Sequence, residues 1–206
     1  MATYGVSTYG LTDSLTIAEI KNLALFELGF PDDIDFTDLT NSIVEKVNKV
    51  YPTVLAYVLS NYPWRFVIKR TELTDQSEAT DSFKYKYNYV LPAQILALQN
   101  VYYDSGYCSP MREYESSLTY INTDATKIYI SYKSAVDESA LPKYFIDYFK
   151  YRLAMELCFN FTGDTQLLQI LAAQEQKMLI KARNTDAMQS PPRTIRSSPF
   201  TQQIRG

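Results

Sequence analysis

Apolar residues recur at helical spacing twice near the N-terminus. Ile17, Ile20, Ala24 and Leu28 form one stripe, predicting a helix over 17–28. Thr16 and Glu19 have the spacing of a capping box, and Leu15 with Ile20 can form the accompanying hydrophobic staple. Gly29 is placed to end that helix in the left-handed conformation. After an acidic loop, Leu39, Ile43, Val47, Val50, Val54 and Val58 keep the same period, predicting a long second helix from about Thr37. Pro52 lies inside it and removes a bond to the carbonyl of Asn48, which predicts a kink or two helices meeting end to end. At Asn61-Tyr62-Pro63 the pattern breaks, because Pro63 disfavours helix at Tyr62.

The period then changes to two. Phe66 and Ile68 alternate with Val67 and Lys69. Beyond a polar loop over 74–81, Phe83, Tyr85, Tyr87 and Tyr89 alternate with Lys84, Lys86 and Asn88. This predicts a strand with one aromatic and one charged face, ended by Leu91-Pro92 and followed by a turn over 93–96. Further strands are predicted over 98–103, 117–121 and 127–132. Asn122-Thr123-Asp124 reads as a hairpin turn between the last two.

Helical spacing returns with Leu141, Phe145, Phe149, Leu153 and Leu157, predicting a third helix over 141–159. Tyr144, Tyr148 and Tyr151 widen its apolar surface, which implies contacts on more than one side. Gly163 is a stop, Asp164 a cap, and a fourth helix is predicted over 165–188. Its apolar side is Leu167, Leu168, Leu171, Met178, Leu179 and Ala182, with a polar gap at Gln174 and Glu175. Helices, then strands, then helices make an α+β fold: a helical layer from the N- and C-terminal pairs and a central, mostly antiparallel β layer. The organisation expected is an arm over 1–15, a single domain over 16–189 (helices 16–62 and 140–188, β layer 64–135) and a tail over 190–206. The arm is expected to order only by docking, and the tail to be disordered alone.

Composition adds three points. Among 206 residues there are eighteen Tyr, ten Phe and a single Trp, Trp64, at the helix-to-strand corner. An aromatic there pins helices to a sheet, and abundant Tyr suits either surfaces buried on assembly or a Tyr-rich sheet. The net charge is −3. The tail carries Arg193, Arg196 and Arg205 and no acid; removing that +3 leaves −6 on the body, so no strong basic field invites nucleic acid. Cys108 and Cys158 fit no metal spacing and read as free thiols. No apolar run reaches the length of a membrane span, and the N-terminus does not resemble a signal peptide.

Candidate chemistry is sparse. No His is present, which removes the commonest general base and metal ligand, and no Gly-rich phosphate loop occurs. Asp32 with Asp33, or Asp35 with Asp38, could form a glycosidase-type carboxylate pair, though a solvated acidic loop explains them as well. Arg65, Lys69, Arg70, Lys84 and Lys86 interleave with aromatics, as on a nucleic-acid surface or the wet face of a sheet. No cofactor or metal site is expected. The structural anchors expected are Pro63, Trp64, Phe66, Tyr85, Tyr87, Tyr89, Leu91 and Pro92.

Several stretches, in order, resemble the tail tubular protein A family, the head-to-tail adaptors of short-tailed bacteriophages. They are Leu28-Gly29; Tyr62-Pro63-Trp64 with Phe66 and Ile68-Lys69-Arg70; Tyr85 through Ala93; Ala154-Met155-Glu156-Leu157; and Phe161-Thr162-Gly163-Asp164. They cover 16–185. Pro52 and the Tyr- and Lys-rich sheet depart from the family. The resemblance implies a non-enzymatic virion protein of the tail or neck, assembled in the host cytoplasm as a homo-oligomeric, dodecameric ring. The ring would join the portal protein to the tail nozzle protein, sheets toward the tail, and double-stranded DNA would pass through its lumen without specific binding. The portal-binding residues expected are Pro191, Pro192, Arg193, Ile195, Arg196, Phe200, Ile204 and Arg205. The alternatives are a tail-associated peptidoglycan hydrolase and a single-stranded nucleic-acid binder acting through Lys84, Lys86 and the tyrosines.

Overall fold

The computed structural model describes residues 15–79 and 84–189. Its first helix, α1, spans Ile17–Phe26. Thr16 and Glu19 form the full capping box, with the Thr16 N–H donating to Glu19 Oε2 at 2.7 Å and the Glu19 N–H to Thr16 Oγ1 at 3.3 Å. Gly29 takes φ +90°, and the Phe30 N–H reaches back to the Leu25 carbonyl at 3.2 Å, so the helix closes two residues before the apolar stripe ends. The buried stripe is Ile20, Ala24, Leu25 and Leu28; Ile17, expected in it, is exposed.

The second helix, α2, spans Ser42–Asn61 and starts later than its apolar period predicts. Side chains compete for the backbone just before it. Asp35 Oδ1 accepts from the Thr37 N–H at 2.9 Å and its hydroxyl at 2.7 Å, and Asp38 Oδ1 does the same for Thr40 at 3.0 and 2.6 Å. These Asx turns hold 35–40 out of helix until Asn41 caps Ile43 at 2.9 Å. Leu39 is therefore left 76% exposed rather than on the helix stripe. The helix is continuous through Pro52, not divided in two. Pro52 sits on the exposed face, where the Asn48 carbonyl that loses its partner can be hydrated, while Tyr51, Val54 and Leu55 pack inward.

The corner after α2 differs from the predicted strand. Arg65–Val67 form one turn of 3-10 helix, and the first strand, β1, is Ile68–Leu73. Phe66 therefore packs with the helical core, its ring 5.1 Å from that of Phe145, rather than alternating along a sheet. Next come β2 (Gln76–Glu78), inside the segment expected as loop, and β3 (Tyr87–Val90). Tyr85 precedes β3 but keeps its alternation: Tyr85 and Tyr89 are buried while Lys84 and Lys86 are exposed. Phe83 lies outside the described residues. The remaining strands are β4 (Ile95–Tyr102), β5 (Glu115–Ser116), β6 (Tyr120–Thr123) and β7 (Ile128–Ser134).

All pairings are antiparallel, in two sheets of order β1-β7-β4 and β2-β3-β6-β5. The predicted hairpin at 122–124 is thereby corrected. Asn122 and Thr123 belong to β6, which pairs with β3 and β5, while β7 crosses to the other sheet between β1 and β4. Periodicity identifies a strand but not its partner.

The third helix, α3, runs Lys143–Phe161 and the fourth, α4, Thr165–Met188. Leu141 stays extended ahead of Pro142, as a residue before proline prefers. Gly163 takes φ +62°, and Asp164 Oδ1 caps Gln166 and Leu167 at 2.8 and 3.2 Å. The central position of α3, against α1, α2 and α4, explains its burial on several sides. One apolar cluster lies among the helices, around Trp64, Phe145 and Phe149, and a second in the β layer, around Tyr89, Ile121, Ile128 and Ile130. The chain is thus α+β, with a helical and a β layer each holding a core.

Candidate functional site

The two layers meet at the 3-10 turn. Trp64 is completely buried, its indole Nε1 donating to the Val58 carbonyl at 3.1 Å in the last turns of α2. Its ring lies 4.6 Å from that of Tyr62 and 5.2 Å from that of Phe145, both edge-on. The neighbouring Arg65 N–H donates to both oxygens of Asp186, at 3.1 and 3.2 Å, and the Tyr144 hydroxyl donates to Asp186 Oδ1 at 2.8 Å. Asp186 is 1% exposed. One carboxylate near the end of α4 therefore holds the start of the 3-10 turn and a side chain of α3. Burial, and next the hydrogen bond to Asp186, push the Tyr144 phenol well above its ordinary pKa. One turn earlier, the Arg183 guanidinium sits 4.8 Å from the Tyr62 ring.

The sequence reading missed Asp186. The signal was there: it lies four residues beyond Ala182, so an acid occupies the buried stripe of α4. Glu175, eleven residues before Asp186 and half-buried, lies beside Tyr148, whose phenol burial and then Glu175 raise.

Of the expected anchors, Trp64, Tyr85, Tyr89 and Leu91 are buried, Phe66, Tyr87 and Pro92 are half-buried, and Pro63 is exposed. They separate into two groups. Trp64 and Phe66 belong to the helical core, whereas Tyr87, Tyr89 and Leu91 belong to the β core. The Tyr89 hydroxyl donates to the Ala125 carbonyl at 2.8 Å. Tyr85 and Tyr89 are buried and Tyr87 is half-buried, while Lys84 Nζ lies 4.9 Å over the Tyr85 ring. A second basic-aromatic arrangement forms around Tyr107. Arg70 lies 5.1 Å over the Tyr107 ring, and Tyr107 meets Tyr102 and Tyr129 edge-on at 5.4 and 6.1 Å. Tyr107 has φ +55°, held in a turn whose hub is Asp104: that carboxylate accepts the N–H groups of Cys108 and Ser109. Those bonds lower the pKa of Asp104.

The acids considered for hydrolytic chemistry, Asp32, Asp33, Asp35 and Asp38, are all exposed, and two of them serve the Asx turns. Among the described residues, no group of three or more His, Cys, Asp or Glu side chains is arranged to hold a metal. Cys108 is exposed, Cys158 is buried, and both are free thiols. No helix among the described residues is long and apolar enough to cross a membrane. The expected portal-binding residues, Pro191, Pro192, Arg193, Ile195, Arg196, Phe200, Ile204 and Arg205, lie outside the described residues. They follow in sequence from the end of α4, where Asp186 is fastened.

No protein-family model matches this chain, and no curated protein matches it.

Proposed function

We propose that the chain is a non-enzymatic structural protein of a virion, one subunit of the ring that joins the portal to the tail nozzle of a short-tailed phage. The observation that carries this reading is where the resembling stretches fall. Tyr62–Arg70 joins the helical layer to the β layer. Tyr85–Ala93 contains β3, an inner strand of the second sheet. Ala154–Leu157 and Phe161–Asp164 form the core turn of α3 and the turn into α4. Several of the resembling residues, among them Trp64, Tyr89 and Leu157, are buried in the two cores. In the ring, double-stranded DNA passes through the lumen. Lys and Arg contacts to phosphate dominate nucleic-acid affinity, so a body of net charge −6 favours passage over retention.

The tail is the portal-binding element in this reading. A short segment with three arginines and no acid gains charge-assisted contacts on an acidic partner surface. Deletion of residues 190–206 is expected to leave the circular dichroism and unfolding midpoint unchanged while abolishing co-sedimentation with purified portal rings. Retention of full portal binding by the shortened chain would remove the tail from that role. Failure of the intact chain to bind any portal ring would count against the adaptor reading itself.

A further inference from the structure

Helix α4 has twenty-four residues, of which Leu171, Ala182 and Asp186 are buried. It packs mainly on α3. On its outer side Ile170, Ala173, Lys177, Ile180, Asn184 and Ala187 follow one another at spacings of three and four, and all are exposed. This is the narrow seam of a helix that meets another surface. Ile170 and Ile180 are 59% and 56% exposed. Lys177 lies in the seam and Lys181 beside it, and neither enters an ion pair among the described residues. The acids of α4 are elsewhere: Asp186 is buried and Glu175 lies beside Tyr148.

A second surface has the opposite character. The edge formed by α1 and the loop after it exposes Phe26 and Leu39, at 67% and 76%. Between residues 26 and 41 there is no Lys or Arg; of the cations that approach this segment, Lys150 is paired with Glu27 and Lys21 lies over the Phe36 ring. Asp32, Asp33, Asp35 and Asp38 are exposed there, without an ion pair among the described residues. A groove of about 260 Å³ on this edge is lined by Leu15, Glu19, Asn22, Leu23, Phe26 and Asp33. Both α1 and α4 pack on α3, and they make few contacts with each other.

We infer that the outer seam of α4 on one copy docks against the acidic edge of α1 on the next copy. Each surface supplies exposed apolar side chains bordered by charge, and the charges are of opposite sign. Because the two surfaces differ, the contact is head-to-tail, the kind that generates a closed ring when the rotation between subunits closes. This rests on the ring reading above, but concerns contacts between copies and involves neither the portal nor the tail.

The test is charge reversal followed by sedimentation velocity over a concentration series of the full chain, without any portal. Lys177→Glu with Lys181→Glu places acid against acid, and Asp32→Lys with Asp33→Lys places base against base. All four residues are exposed, so both variants keep the wild-type circular dichroism. Each alone is expected to weaken self-association about a hundredfold, since like charges in an interface cost several kcal/mol. A chain carrying all four changes regains association, and so does an equal mixture of the two variants. Three results would overturn the inference. One is wild-type chain that stays monomeric at every concentration. Another is association unchanged in either variant. The third is an α4 variant that recovers with wild type while the Asp32/Asp33 variant associates normally, which would mean that α4 meets α4. Portal co-sedimentation of the intact chain reports on the adaptor reading separately.

Discussion

Asp186 gives the sharpest test of how the layers are joined. Replacing it with Ala removes the acceptor of two donors, the Arg65 N–H and the Tyr144 hydroxyl. Hydrogen bonds to a charged acceptor contribute about 1.5–3 kcal/mol each, and a buried donor left alone costs about as much. Tyr144 and Arg65 are partly open to solvent, so water can replace some of the loss. The expected destabilisation for Asp186→Ala is therefore about 2–4 kcal/mol, and for Asp186→Asn, which keeps an acceptor without the charge, about 1–2 kcal/mol. Tyr144→Phe removes one bond and leaves the other, costing about 1 kcal/mol. Urea unfolding followed by Trp64 fluorescence measures all three, with the slope checked for two-state behaviour. A double-mutant cycle between Asp186→Asn and Tyr144→Phe should give a coupling of about 0.5–1.5 kcal/mol. The Tyr144 phenol should also titrate lower in Asp186→Ala, though only part of the way, because burial is the larger cause of its shift. An Asp186→Ala variant losing less than about 0.5 kcal/mol would refute the assignment of this carboxylate as the tie between α4 and the corner.

Two further outcomes follow from the helical core. Burial raises the phenol pKa of Tyr51, Tyr144 and Tyr148 in the folded chain. The folded state then holds protons that the unfolded state releases above about pH 10, so stability is full below that pH and declines as pH rises beyond it. Thermal melts at rising alkaline pH, read beside the phenolate absorbance, check this; a midpoint that stays flat would contradict it. Trp64→Ala removes the fully buried indole and its bond to Val58 and should cost about 3–5 kcal/mol in urea unfolding followed by circular dichroism, since the variant has no tryptophan. A cost under about 1 kcal/mol would mean that the corner does not depend on it.

The sequence by itself determined the helices and their stops, because those signals are local. The Thr16/Glu19 box, Gly29, Gly163 and the Asp164 cap act within one turn of the chain, and the apolar period of α3 and α4 repeats often enough to be unmistakable. The start of α2 was also local, in the Asx turns of Asp35 and Asp38, but polar competition for the backbone leaves no mark on apolar periodicity. Tertiary structure decided the rest. Alternation revealed that Tyr85 and Tyr89 face inward, yet whether β6 pairs with β7 or with β3 depends on surfaces that meet only after the chain has crossed between layers. Phe66 lies in the helical core rather than the sheet, next to an Arg65 N–H whose acceptor is a carboxylate 121 positions away. The helical spacing from Ala182 puts Asp186 on the buried stripe of α4, but no local pattern specifies that two donors will converge on it. That outcome belongs to the packing of α4 on α3, which brings the acid within hydrogen-bond distance of the Arg65 N–H and the Tyr144 hydroxyl.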